Sequence, residues 1–194
     1  MATAPTPILT HFHAFQIEAE IVGRLLTGYA NLEVGLFNCV AMVLGDYDLV
    51  LKAMFGVRGE KRRIDKGKKL GQAPYDALGM CTDFQGAIEA MRHCLCIRNQ
   101  YSHWVWWNDY SGKIAFANLE DVARSKSKVK VKDLRNLKSH HVDATLLSSQ
   151  EAYFAYTDQY LAWVNYEGRH RAGTLARNTV IKPKHLKKPN LRLL

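Results

Sequence analysis

Nowhere does this sequence stay apolar for the roughly 18 residues that suggest a membrane span. Its opening, MATAPTPILT, lacks the basic start and long apolar run of a secretory signal. These absences set the expectation of a cytoplasmic protein without a membrane partner. Cysteine is scarce, and Cys39, Cys81, Cys94 and Cys96 fall in apolar, helix-like stretches, so buried reduced thiols are expected rather than disulfides. The Cys94-Leu-Cys96 pair beside His93 lacks the paired two-residue gaps of a zinc ribbon and has no second pair to complete it. No metal is expected, and no cofactor. A glycine-rich phosphate loop, a nucleophile elbow and a paired-carboxylate motif are all missing, which sets aside the chemistries they carry. No internal repeat reaches solenoid length. Beyond Glu167 there is not one acidic residue.

That last absence organises the charge. The chain carries a formal net charge of +9, and the eight Lys and Arg between Gly168 and Leu194 account for nearly all of it. At 194 residues, 47% hydrophobic and 23% charged, the rest has the size and composition of one globular domain. The expected organisation is a helical domain over 1–171 followed by a flexible basic tail over 172–194, because two prolines and many lysines oppose packing there.

Apolar residues recur every three or four positions at Ile17, Ile21, Leu25, Tyr29, Leu32, Leu36, Val40 and Val43, the period of one long helix from Phe15 to Leu44. Gly45-Asp46 ends it and caps a shorter helix over Tyr47 to Phe55. The basic segment RGEKRRIDKGKKLG predicts a short surface helix. Pro74 opens a second long helix, with Leu78, Cys81, Phe84, Ile88, Met91 and Leu95 inward, running to Asn99 or slightly beyond. HWVWWNDYSGKIAFANLE alternates about a turn at Asp109, Ser111 and Gly112, and predicts a β-hairpin. Arg124 to Lys138 predicts a loop with a short helix. A third long helix spans Ser149 to Arg169, with Tyr153, Tyr156, Tyr160, Trp163 and Val164 on its apolar face. The fold class is therefore all-α, an antiparallel helical bundle with a small β-hairpin after the second long helix.

Where that second helix ends, RNQYSH (98 to 103) gathers a guanidinium, an amide, two hydroxyls and an imidazole. An imidazole exchanges protons near neutral pH, and a guanidinium offers a flat fork of donors matched to phosphate oxygens. Together they suit metal-free RNA cleavage, in which a base takes the 2′-hydroxyl proton and the cation stabilises charge gathering on phosphorus. Five helical residues turn about 140° beyond a full circle, so Arg98 and His103 do not share a face unless the arginine stem curls. Asn99 and His103, four apart, do, as do Arg98 and Ser102.

An arginine, a polar residue, three further residues and a histidine at the end of a long bundle helix resemble the HEPN superfamily (higher eukaryote and prokaryote nucleotide-binding domains). Two long helices, a short basic segment between them and a later long helix extend the resemblance over Ile17 to Arg169. It implies a HEPN-like bundle and a metal-independent endoribonuclease cleaving single-stranded RNA, acting as a toxin or defence component. It further implies a homodimer whose two motifs face one cleft, with RNA and an antitoxin or defence-system protein as partners. By the same resemblance, Arg98 and His103 are catalytic, and Asn99 and Ser102 position them. Tyr101 departs from the small residues usual there, and either stacks on a base or plugs the cleft. Since some members of the superfamily are inactive, the alternative is a non-catalytic module that binds a nucleotide or a partner protein.

Other residues carry two readings each. Trp104, Trp106 and Trp107 stack on bases or anchor the hairpin, and Trp104, beside His103, is the one placed to line a cleft. Arg58, Arg62, Arg63 and Lys66 lead a run of seven basic residues up to Lys69, set against Glu60 and Asp65. They neutralise an RNA backbone or form a solvated face. Asn31 and Glu33 lend polar groups to the cleft or serve structure. His140, His141, His11 and His13 lack metal-ligand partners at useful spacing and are expected in solvent.

Overall fold

The computed structural model describes residues 10–125 and 138–193. A short 3-10 turn, Thr10–Ala14, leads into α1, Gln16–Leu44. The predicted stripe lies inward from Ile21 to Val40, whereas Ile17 is 63% exposed at the helix's open end. Gly45 closes α1 in the left-handed region with φ 70°, its N–H bonded to Ala41 O. The Asp46 carboxylate then accepts from Leu49 N at 2.9 Å and caps α2, Tyr47–Phe55. Both boundaries match the expectation.

The basic segment does not. It belongs to an 18-residue helix, α3, Glu60–Ala77, which contains Pro74. The chain breaks four residues later than expected, because Gly79 adopts φ 67°. Gly79 N bonds Asp76 O at 2.9 Å and Met80 N bonds Tyr75 O at 2.8 Å, the paired closure of a Schellman motif. Pro74 lacks an N–H, so the Leu70 carbonyl loses its helical donor. Two glycines let this charged helix lie against the core. A Cβ on Gly67 would stand 2.9 Å from the Leu36 side chain, and one on Gly71 would stand 2.5 Å from the Phe84 ring.

Helix α4, Cys81–His103, buries Phe84, Ile88, Met91, Cys94, Leu95 and Ile97. The chain then extends at Trp104 into β1, Val105–Asn108, and turns through Tyr110 (φ 62°) and Gly112 (φ 80°) into β2, Ile114–Ala117. The hairpin is as predicted, with Val105 opposite Ala117 and Asn108 opposite Ile114. Helix α5, Leu119–Ser125, follows. The rest of the segment expected to hold a loop and short helix lies outside the described residues. A third strand, β3, His140–Val142, pairs antiparallel with β2 and was not expected. Three residues are too few for a period-2 signal to stand out. The last helix, α6, Ala144–Arg171, starts five residues earlier than its tyrosine stripe suggests, because Asp143 caps it by accepting from Leu146 N at 2.8 Å.

The protein is thus mostly helical with a small antiparallel sheet. Helix directions follow from the contacts. α4 opposes α3, since Gly71 meets Phe84 and Asp65 pairs with Arg92. It also opposes α6, where Tyr160 bonds Asp83 and Gln150 bonds Tyr101. α1 and α6 run parallel instead, because Arg24 pairs with Glu151, Gly35 meets Leu161 and Val43 meets Gly168. α3 also runs parallel to α1, since Glu33 pairs with Arg63, Leu36 meets Gly67 and Cys39 O accepts from Tyr75. The expected antiparallel bundle is corrected at both pairs, and α4 is the helix that returns the chain to the end of the bundle where α1 began.

The residues expected to form a flexible tail lie against the bundle over the described part of 172–194. Lys182 pairs with Asp83 at 2.6 Å and sits 4.6 Å from the Trp163 ring centroid. Further on, three consecutive carbonyls accept from the bundle: Pro189 from His93 Nε2 at 3.0 Å, Asn190 from Gln150 Nε2 at 2.7 Å, and Leu191 from Gln100 Nε2 at 2.7 Å. Leu193 N then donates to His141 O at 2.9 Å, fastening this strap beside β3.

Candidate functional site

The motif occupies the last two turns of α4, and its helix remains regular through His103. Arg98 and His103 therefore diverge by about 140°. Arg98 turns toward α3, where Nη2 lies 3.4 Å from Glu60 Oε1 and Nη1 donates to Asn99 Oδ1 at 3.1 Å. Its side chain is 24% exposed. Behind it stands a second pair, Arg63 with buried Glu33 at 3.0 Å. Burial pushes the Glu33 carboxyl up, and the adjacent Arg63 offsets part of that rise. Arg63 also lies 5.5 Å from the Phe55 ring centroid. Two guanidinium groups and two carboxylates thus neutralise one another where α1, α3 and α4 meet. The buried Tyr29 hydroxyl beside them has no hydrogen-bond partner among the described residues.

On the other side, His103 is exposed and lines a cleft of about 460 Å³. Asn99, Gln100 and Trp104 share its α4 wall, Asn118 and Glu120 come from the loop and helix after β2, and Leu191 and Arg192 come from the strap. Asn99 thus touches both sides, lining the cleft while its amide oxygen holds Arg98. Ser102 is exposed, with Oγ bonded to Asn99 O at 3.3 Å. Trp104 is half-buried, 5.0 Å from Phe116 and 5.8 Å from His140 between ring centroids.

Several other candidates sit elsewhere. Tyr101 is buried beneath the hairpin, 5.4 Å from Trp106, and its hydroxyl bonds Gln150 Oε1. Burial raises its hydroxyl pKa, and it neither plugs the cleft nor is open to a base. Trp106 packs between Phe12, Tyr101 and Phe116. Asn31 lines the groove between α1 and α6. Glu33 and Arg63 are committed to each other, whereas Arg58, Arg62 and Lys66 are exposed.

The two consecutive histidines expected in solvent both have partners. His141 Nε2 lies 2.7 Å from Asp109 Oδ2. Hydrogen bonds from Ser111 and then His141 hold the Asp109 carboxyl down to about 2. His140 Nε2 accepts from Arg192 Nη1 at 2.8 Å, which places its ring proton on Nδ1. Arg192 and Asn118 were missed as site residues. The signal that bears on Arg192 is the alternation of leucine in NLRLL, the pattern of an extended docked segment, rather than the charge of the tail's lysines.

Among the described residues, no cluster of three or more His, Cys, Asp or Glu could hold a metal ion, and no helix is long and apolar enough to cross a membrane. The arrangement offers an exposed imidazole, amides and a guanidinium around an open cleft, chemistry suited to binding an anion and moving a proton. Compared with protein-family models, curated proteins and solved structures, the chain matches none of them.

Proposed function

We propose that this chain is a HEPN-like, metal-independent endoribonuclease acting as a homodimer on single-stranded RNA in the cytoplasm, within a toxin–antitoxin or defence setting. The observation carrying this reading is the exposed His103 in a cleft, with Asn99 joining it to Arg98. One imidazole takes the proton from a ribose 2′-hydroxyl. The 2′-oxygen bonds to phosphorus and the P–O5′ bond breaks. The departing O5′ receives a proton from an imidazolium of the second protomer, leaving a 2′,3′-cyclic phosphate and a 5′-hydroxyl. Because Arg98 points away from His103 within one protomer, this reading calls on a second copy to bring Arg98 and an imidazole to one phosphate. Purified protein should cut single-stranded RNA in EDTA, and His103→Ala should slow it about 10²–10⁴-fold with the circular dichroism unchanged. Equal cleavage by both proteins would refute the catalytic role.

The Glu60–Arg98 pair favours a second reading, a non-catalytic HEPN-like module binding a nucleotide or partner protein. A guanidinium already paired with a carboxylate is less available to stabilise the charge that gathers on phosphorus during cleavage. Calorimetry with nucleotides, together with no cleavage by wild type, would select it.

A further inference from the structure

The cleft beside His103 contains a cation, and that cation is not Arg98. We propose that Arg192, delivered by the C-terminal strap, is the phosphate-binding group of this cleft and grips the backbone of single-stranded RNA. The inference rests on reading the cleft as an RNA site, and it assigns a role to a residue far from the motif.

Four hydrogen-bonded anchors hold the strap on either side of Arg192, and all engage its backbone: the carbonyls of Pro189, Asn190 and Leu191, and the amide of Leu193. The Arg192 side chain carries none of that load and faces the cleft shared with His103 and Asn99. Its Nη1 donates to His140 Nε2 at 2.8 Å, which orients the guanidinium plane and leaves the Nε–Nη2 edge for two non-bridging oxygens. That is the bidentate geometry in which a guanidinium recognises a phosphodiester. No carboxylate among the described residues pairs with Arg192. Glu120, which also lines the cleft, bonds Arg124 at 2.8 Å. Arg98, in contrast, does not line this cleft, and its guanidinium is engaged by Glu60 and the Asn99 amide oxygen. Trp104 on the same wall offers a ring face for a neighbouring base.

The test uses a short single-stranded RNA carrying 2′-O-methyl groups, which binds but cannot be cut, read by fluorescence anisotropy over a salt series. Arg192→Ala should weaken binding about tenfold and flatten the slope of log affinity against log salt by about 0.7, the share of one phosphate contact on a single strand. Arg192→Lys should restore the slope, because charge returns, and only part of the affinity, because the fork does not. Wild-type affinity and slope in Arg192→Ala would overturn the assignment. Cleavage of unmodified RNA, measured in parallel, separates this inference from the nuclease reading. Arg192-dependent binding without cleavage leaves Arg192 standing and the nuclease fallen. Normal cleavage with indifferent Arg192→Ala binding does the reverse.

Discussion

On the α3 side of the last turns of α4, Arg98 meets Glu60 and Asn99, with Arg63 and Glu33 closing the space behind. On the other side, His103 opens into a cleft whose remaining walls come from the hairpin exit and from the chain's far end. The first side is built by core helices, and its charges already have partners. The second is assembled late in the sequence, by hydrogen bonds to a strap, and its imidazole faces solvent. One helix end thus supplies a neutralised structural face and an available chemical one, and Asn99 touches both.

The largest stability effect should come from breaking the available side at its hub. Gln150 is fully buried, donates to two strap carbonyls and accepts from Tyr101. Gln150→Ala removes the donor to Asn190 O and the acceptor of the Tyr101 hydroxyl, while Leu191 O keeps Gln100, and should cost about 3 kcal/mol. In native-state hydrogen exchange, the Leu193 amide should lose protection first, while amides within α3 keep theirs. Loss of α3 protection ahead of Leu193 would reverse the comparison.

The neutralised side breaks differently. Gly71→Ala puts a methyl 2.5 Å from the Phe84 ring, which is stacked on Tyr75 at 4.4 Å between centroids. The stack has little room to yield, so overpacking should cost about 2 kcal/mol in denaturant unfolding, with the strap's exchange unchanged. A neutral result would mean that α3 is free to slide along α4.

These two sides were unequally legible in the sequence. Buried apolar positions spaced at three and four residues marked α1, and Gly45-Asp46 marked its end, because cap chemistry is local. The inner face of α3 was hidden. Its apolar content is low, and the signal was a pair of glycines four apart, which reads as helix weakness until close approach to Leu36 and Phe84 is seen. His103 and Asn99 were readable from the i, i+4 spacing. Glu60 opposite Arg98, and Arg192 in the cleft, depend on long-range contacts that no local period encodes. The tail's lysines suggested mobility, whereas its docking depends on backbone carbonyls, which composition does not reveal.

Glu60→Gln sharpens the comparison at smaller amplitude. Both members of the pair are partly exposed, Arg98 at 24% and Glu60 at 30%, so the pair contributes at most about 1 kcal/mol after screening. Removing the carboxylate frees the guanidinium. If Arg98 must leave Glu60 to reach phosphate, cleavage by Glu60→Gln should rise by up to about fivefold with little change in melting temperature. An unchanged rate would assign Arg98 to structure alone and leave the cleft's cationic chemistry to Arg192.

The smallest expected effect concerns the clip between β3 and the hairpin turn. Asp109 is held down to about 2 from an ordinary 3.8 by Ser111 and His141. A depressed carboxylate contributes stability above its ordinary pKa and loses it as pH falls through its folded value, so this clip is intact above about pH 4 and released toward pH 2. His141→Ala should raise the Asp109 pKa, followed by carboxyl-carbon NMR. The value should stay below 3.8, because Ser111 N still donates at 3.1 Å. Since β3 carries His140, the partner of Arg192, the same variant should broaden the Arg192 side-chain resonances while leaving those of Arg98 sharp. Equal broadening of both arginines would mean that the two sides of α4 are coupled, and would dissolve the distinction between them.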